Sequence, residues 1–319
     1  MHDNFDNLKI AITKEFSKDL KNILDSFVIK DYVAYITLKA DDANEVEGLK
    51  PLKEECEKVL RRNSNLKDFH ISFVNTEKKF KNVIAITSCK GGVGKSTISA
   101  NVANMLGNMG FKVGLLDTDI YGPSIPKLYN IKSKPSVDHN KKIIPIKFNN
   151  IEIMSIGFMI SEDRPIIWRG PMIQSALLQL INDVKWSNLD FLVLDMPPGT
   201  GDVHLTIAQK LKIDQAIVVT TSEAIAIADT KKGMNMLLKF DIPISGIIEN
   251  MSYFVCNNCS TKHFIYGENK TEELAGKFNT TVLGKLPFNY TFSNPISNTG
   301  LKDNDYKKII NNIVIKILD

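Results

Sequence analysis

The stretch Ser88-Cys89-Lys90-Gly91-Gly92-Val93-Gly94-Lys95-Ser96-Thr97 constrains this chain more than any other. Before it runs Val83-Ile84-Ala85-Ile86-Thr87, a β-branched run that reads as a buried strand; after it, Ile98, Val102, Met105 and Leu106 fall at helical spacing. Strand, glycine-rich turn and helix are the context a phosphate-binding loop requires. Glycines let successive backbone N–H groups turn inward toward phosphate oxygens, and the helix N-terminus adds partial positive charge. Lys95 is then expected to reach the β- and γ-phosphates, and the Ser96 hydroxyl to take a Mg²⁺ position, with Gly91, Gly92, Val93, Gly94 and Thr97 completing the nucleotide cradle. The strict G-x-x-x-x-G-K-[ST] pattern is not met, because Cys89 stands at its first glycine and an additional lysine, Lys90, precedes the glycines.

At 319 residues, with 43% hydrophobic and 24% charged, the chain is globular material for a main domain plus an appendage. A net charge of +4 argues against a dedicated nucleic-acid binder. No apolar run approaches a membrane span, and the first residues lack a signal-peptide pattern. Four cysteines then point to a reducing cytoplasm with free thiols rather than a disulfide framework.

Residues 1–80 read as a small α/β module: a helix over 8–26, a strand over 32–38, a helix carrying Leu52, Cys56, Val59 and Leu60, and a strand over 69–74, followed by a linker at 75–82. Cys56 lies on the apolar face of its helix and reads as core. From 83 to 319, strands at 83–87, 112–116, 151–156, 190–195, 215–221, 244–249 and 282–286 alternate with helices near 96–109, 170–184, 203–211, 223–239 and 270–279. That alternation predicts a mostly parallel sheet flanked by helices, with ligands at the carboxyl ends of the strands.

Two acidic motifs sit at such ends. Asp117 and Asp119, two apart beyond one strand, suit metal and water work, or else a turn or helix cap. Asp195 closes the run Phe191-Leu192-Val193-Leu194, delivering a carboxylate toward Mg²⁺, and Met196-Pro197-Pro198-Gly199-Thr200-Gly201-Asp202 continues as a loop suited to respond to a γ-phosphate, with Gly199 or Gly201 as donor. Cys256-x-x-Cys259 follows a strand end; alone it reads as a redox pair, half a metal site, or coincidence. A four-thiolate site needs two more sulfurs, which a two-fold homodimer would supply. His263 makes a zinc site a competitor, against the plainer reading of a surface histidine. The apolar stripe Tyr306, Ile309, Ile310, Ile313, Val314 and Ile317 reads as a terminal helix docked on the core, or as a membrane-surface helix.

The K-G-G-x-G-K-S form resembles the deviant Walker A ATPases, the class of the MinD and nitrogenase iron proteins, which implies that Lys90 reaches across a dimer interface to the partner's nucleotide. Over residues 83–319 the chain resembles the Mrp/ApbC family of iron–sulfur cluster carrier ATPases through Lys90-to-Thr97, Asp117-to-Ser124, Trp168-Arg169-Gly170-Pro171, Asp195-to-Asp202, Asp229-x-x-Lys232, Glu249-Asn250-Met251-Ser252 and the cysteine pair. The resemblance implies a P-loop NTPase fold, ATP with Mg²⁺ held by Ser96, Asp117 and Asp195, and Asp119 orienting the attacking water. It further implies Asn250 reading adenine, Pro287 in the following loop where adenine stacks, and a [4Fe–4S] cluster bridged by Cys256 and Cys259 of two subunits. Apo iron–sulfur proteins would be the recipients and a scaffold protein the donor, with no nucleic-acid or membrane partner. The rival reading is a MinD/ParA-like positioning switch, which would not need the cysteines. Residues 1–80 resemble the MIP18-type domain, without that family's early Asp-Pro signature. Replacing Lys95 is expected to abolish turnover while leaving the fold intact.

Overall fold

A computed structural model describes residues 2–30, 32–40, 47–63, 65–75, 80–160, 169–256, 258–288 and 304–318. The chain divides into two compact units, Met1–Lys79 and Phe80–Asp319.

The first unit runs α1 (His2–Glu15), α2 (Lys18–Ile23), β1 (Leu24–Lys30), β2 (Val33–Ala40), α3 (Lys50–Arg62) and β3 (Asp68–Asn75). Its sheet has the order β1-β2-β3, with β1 antiparallel and β3 parallel to β2. Ile12, Phe16, Leu20, Phe27, Ile36, Leu38, Cys56 and Leu60 form its core. The single helix expected over 8–26 is instead two helices and the start of a strand. Ser17 breaks it: its Oγ accepts from Leu20 N at 3.1 Å, and its own N–H donates to Glu55 Oε1 at 2.9 Å. Beyond Ile23 the apolar period shortens to two, and Leu24–Lys30 pairs with β2.

The second unit begins with β4 (Asn82–Ser88), α4 (Lys95–Asn108), β5 (Val113–Asp117) and α5 (Ile125–Leu128). Short strands β6 (Ser136–Val137), β7 (Ile143–Ile144) and β8 (Ile146–Phe148) lead to β9 (Ile151–Ser155). Then come α6 (Gly170–Asn182), β10 (Phe191–Pro198), α7 (Asp202–Lys210), β11 (Gln215–Thr220), α8 (Ala224–Lys239), β12 (Ile244–Val255), β13 (Lys262–His263), α9 (Lys270–Lys277), β14 (Val282–Pro287) and α10 (Asn304–Leu318). The main sheet has the order β13-β12-β11-β4-β10-β5-β9-β8, with β14 also on β12; only β8 and β13 run antiparallel. Strands β5 and β9 are buried at every residue, as a sheet covered on both faces demands. This is the P-loop NTPase fold.

Three differences from the sequence expectation bear on the site. Strand β10 continues through Met196-Pro197-Pro198, which read as loop, with a register irregularity between Asp195 and Pro198. Strand β12 runs six residues past its expected end, to the doorstep of Cys256. Pro287 is the last residue of β14, opposite Tyr253, rather than a loop residue. The terminal helix α10 docks on the core: Tyr306, Ile310, Ile313 and Val314 are buried, so its apolar stripe is not available to a membrane surface. No helix among the described residues is long and apolar enough to cross a membrane.

Candidate functional site

The register places β4, β10 and β5 side by side with their carboxyl ends level, Asp195 opposite both Ile86 and Asp117. The glycine-rich turn leaves β4 with Gly92 at φ +80° and Gly94 at φ +85°. Both values are left-handed and favour glycine. Gly94 is further restricted, since a Cβ there would stand 2.3 Å from Asn250 Nδ2. A Cβ on Gly91 or Gly92 would meet nothing within 4 Å, so that side of the turn is open to a ligand.

Lys95, the first residue of α4, is buried and its Nζ lies 2.6 Å from Asp195 Oδ1. Ser99, one turn on, donates to the same oxygen at 2.8 Å. Asp195 Oδ2 is buried without a hydrogen-bond partner among the described residues. An orphaned, fully buried carboxylate oxygen is costly unless something else binds it, and it fits a divalent cation. Ser96 Oγ lies 3.3 Å from Lys95 Nζ, on the same side of the helix start. Asp117 is fully buried and accepts from Ser155 Oγ at 2.9 Å and from the Asp119 and Ile125 N–H groups. Burial, then the charge of Asp195, raises its pKa well above the usual carboxylate range. Two carboxylates pressed together this way are a pair that a cation would relieve. Asp119 is half-buried and accepts from Gly122 N at 3.1 Å. Gly199, at φ +94°, donates its N–H to Ser88 O at 3.0 Å, tying the loop after β10 to the end of β4.

On the other flank, Asn250 donates from Nδ2 to Val93 O at 2.8 Å, so the amide expected to read adenine touches the phosphate loop itself. Glu249 beside it is buried and accepts from Ser252 Oγ at 2.6 Å and from the Thr271 hydroxyl. The Thr97 carbonyl accepts from Asn101 Nδ2 at 2.8 Å. Lys90 is ion-paired with Glu223, the N-cap of α8, within its own protomer. Asp229 and Lys232 form a 3.0 Å pair on the surface. Arg169 precedes α6 as its N-cap; Trp168 and Asn257 lie outside the described residues.

The cysteines separate into two kinds. Cys56 is buried and its thiol is pushed up to about 12; Cys89, packed against Gly233, is pushed up to about 11. Neither forms a thiolate readily. Cys256 and Cys259 are free thiols on the turn between β12 and β13, closed by Cys256 N–Thr261 O at 3.0 Å and Ser260 N–Cys256 O at 2.8 Å. Cys259 is exposed and lies 3.2 Å from Thr261 Oγ1; hydrogen bonds from that residue lower its pKa. His263 is exposed, and no group of three or more His, Cys, Asp or Glu placed to hold a metal occurs among the described residues.

Sequence reasoning missed Ser99, Ser155, Glu223 and His204. Ser99 is a helical turn from Lys95 and Ser155 ends β9, the position in each case that faces the acids. His204 lines a cavity of about 250 Å³ with Asp119 and Pro198. Burial and the Lys95 charge lower its pKa from 6.5 to about 4.

Known proteins bear on this arrangement. A model of the family described as ParA: NUBPL iron-transfer P-loop NTPase matches residues 79–318. An iron-sulfur cluster carrier protein of Aquifex aeolicus is 50% identical over 209 residues, 65% of this chain and 57% of that protein. The match thus spans less than two thirds of that relative's length. A protein of the same description from Escherichia coli K12 is 40% identical over 290 residues, 84% of this chain and 78% of its own. The structure of an Archaeoglobus fulgidus nucleotide-binding protein in complex with ADP superposes with a TM-score of 0.58 at 32% identity, covering 76% of this chain and 90% of that one. The cell division ATPase MinD of Pyrococcus furiosus, at 18% identity and a TM-score of 0.53 over 75% of this chain and 98% of its own, shares the fold. The phosphate loop, the paired acids and the family match agree: this chain belongs to the NUBPL iron-transfer P-loop NTPases.

Proposed function

We propose that this protein is an ATP-hydrolysing iron–sulfur cluster carrier, acting as a homodimer that holds a [4Fe–4S] cluster between two copies and passes it to apo-proteins. One observation carries the reading: β12 touches the phosphate loop through Asn250 and ends against the thiol pair, half-buried Cys256 six residues later and exposed Cys259 beyond it. One continuous strand, bent at a left-handed Met251 (φ +53°), therefore spans the distance between the phosphate loop and the cysteine turn.

On ATP binding the glycine-rich turn presents its N–H groups to the phosphates, and Lys95 leaves Asp195 for the β/γ oxygens. Ser96, the freed Asp195 and, through water, Asp117 would hold Mg²⁺, which neutralises phosphate charge. Asp119 orients the attacking water, and the loop after β10 supplies a donor to the γ-phosphate from Gly199 or Gly201. Positioning and charge stabilisation are sufficient for phosphoryl transfer without a covalent intermediate. Lys90 exchanges its own Glu223 for the nucleotide of the second copy. The cluster is cargo: Cys256 and Cys259 offer two thiolates per subunit, and two subunits complete four. Exposed Phe254, Ile265, Tyr266 and Phe288 give the region around the turn an apolar surface suited to a partner.

The test is transfer. Anaerobically reconstituted protein is mixed with an apo-protein that needs a [4Fe–4S] cluster, and recovery of that protein's activity is followed. Recovery by the wild type, and none by Cys256→Ala or Cys259→Ala, supports the reading; equal recovery by the variants contradicts it.

A further inference from the structure

His204 lies on α7, three residues past the N-cap Gly201, with 2% of its surface exposed. Neither Nδ1 nor Nε2 has a hydrogen-bond partner among the described residues. Buried polar groups are almost always paired, so an imidazole with both nitrogens unmet marks a second arrangement in which they are met. At neutral pH the ring is uncharged, with one N–H to donate. The carbonyls of Pro197 and Gly201 approach the ring without reaching hydrogen-bond geometry, and both belong to the segment joining Asp195 to α7. The same ring borders the cavity of about 250 Å³ whose other walls include Asp119, Tyr121, Gln174 and Pro198. That void is room for the segment to move into, since close-packed interiors otherwise resist displacement.

We propose that His204 is a positioning residue for ATP hydrolysis: when the segment after β10, residues 199–202, closes on the terminal phosphate, the imidazole N–H takes the Gly201 carbonyl and locks the segment in place. The proposal rests on the reading of that segment as γ-phosphate-responsive and of Asp119 as the water-orienting acid. His204 then acts through the loop and not on the reacting atoms. A fixed loop matters in the transition state more than in ground-state binding, so its loss belongs in kcat and not in KM.

Steady-state ATPase of the full chain is compared for His204→Leu, His204→Gln and Asp119→Asn. One unmade hydrogen bond predicts that His204→Leu lowers kcat about tenfold, with KM changed less than about twofold. His204→Gln, which keeps an N–H donor, returns kcat to within about threefold of wild type. Wild-type kcat in His204→Leu, a defect confined to KM, or no rescue by glutamine overturns the proposal. Asp119→Asn tests the underlying reading separately, since turnover in that variant sinks the role of Asp119 whatever His204 does. Should His204→Leu fail to fold, imidazole ¹⁵N signals of the wild type decide. With five histidines in the chain they are assignable. The His204 signal shifts and its N–H becomes exchange-protected with a non-hydrolysable ATP analogue and Mg²⁺ but not with ADP; identical signals in both states overturn the proposal.

Discussion

Lys95 and Asp195 neutralise each other at 2.6 Å in the interior, and both are also groups that the proposed function assigns to the nucleotide and its Mg²⁺. Removing one partner of a buried pair leaves the other as an uncompensated charge, at a cost of about 3–5 kcal/mol. The expectation that Lys95 can be replaced without harm to the fold is therefore revised. Lys95→Ala should abolish ATP turnover and also lower the melting temperature by about 10 °C in a domain of this size. Adding Asp195→Asn should restore most of the melting temperature and none of the turnover. Thermal melting of the single and double variants checks this, and a single variant as stable as wild type contradicts it. The acids and Lys95 were legible because strand ends and a glycine turn announce themselves in one dimension. Ser99, Ser155 and His204 were not, since each matters only through a neighbour that folding brings across the sheet. Asp195 and Ser99, for instance, are adjacent in space and 96 positions apart in sequence.

Elements show the same division. Strands β4, β5 and β9 are apolar runs bounded by turns and read directly, whereas β1 hides behind a helix-like approach and β12 outruns its apolar stretch. The polar residues Glu249, Asn250 and Ser252 are held in β12 by buried hydrogen bonds that a hydropathy pattern does not record. Docking of α10 depends on Gly284 of β14, where a Cβ would stand 2.6 Å from Ile313 Cδ1. Gly284→Val should overpack that contact, costing about 1–3 kcal/mol and loosening the helix. Ile313→Ala in the same chain should relieve much of the strain. Hydrogen exchange along α10 reads the outcome: faster exchange in Gly284→Val, partly reversed in the double variant, is expected. Unchanged exchange would show that the helix does not need the glycine.

Across the whole molecule the sheet joins two chemistries. The glycine-rich turn and the paired acids lie at the carboxyl ends of β4, β10 and β5, and the thiol pair follows the carboxyl end of β12. The order of strands, which put β4 in the middle, followed from no pattern in the sequence beyond the alternation of strand and helix. Each chain offers one half-buried and one exposed thiol, and no group of three or more metal-ligating side chains occurs among the described residues, so in the proposed carrier a second copy would complete the cluster's four thiolates. Dimerisation is the claim on which the carrier reading turns. It is tested most directly by native mass and iron content after anaerobic reconstitution with iron and sulfide. The expected result is an assembly of two 35.8 kDa chains carrying about four irons in total, absent from Cys256→Ala and Cys259→Ala. A colourless protein holding zinc, or a monomer with its own full cluster, would contradict it.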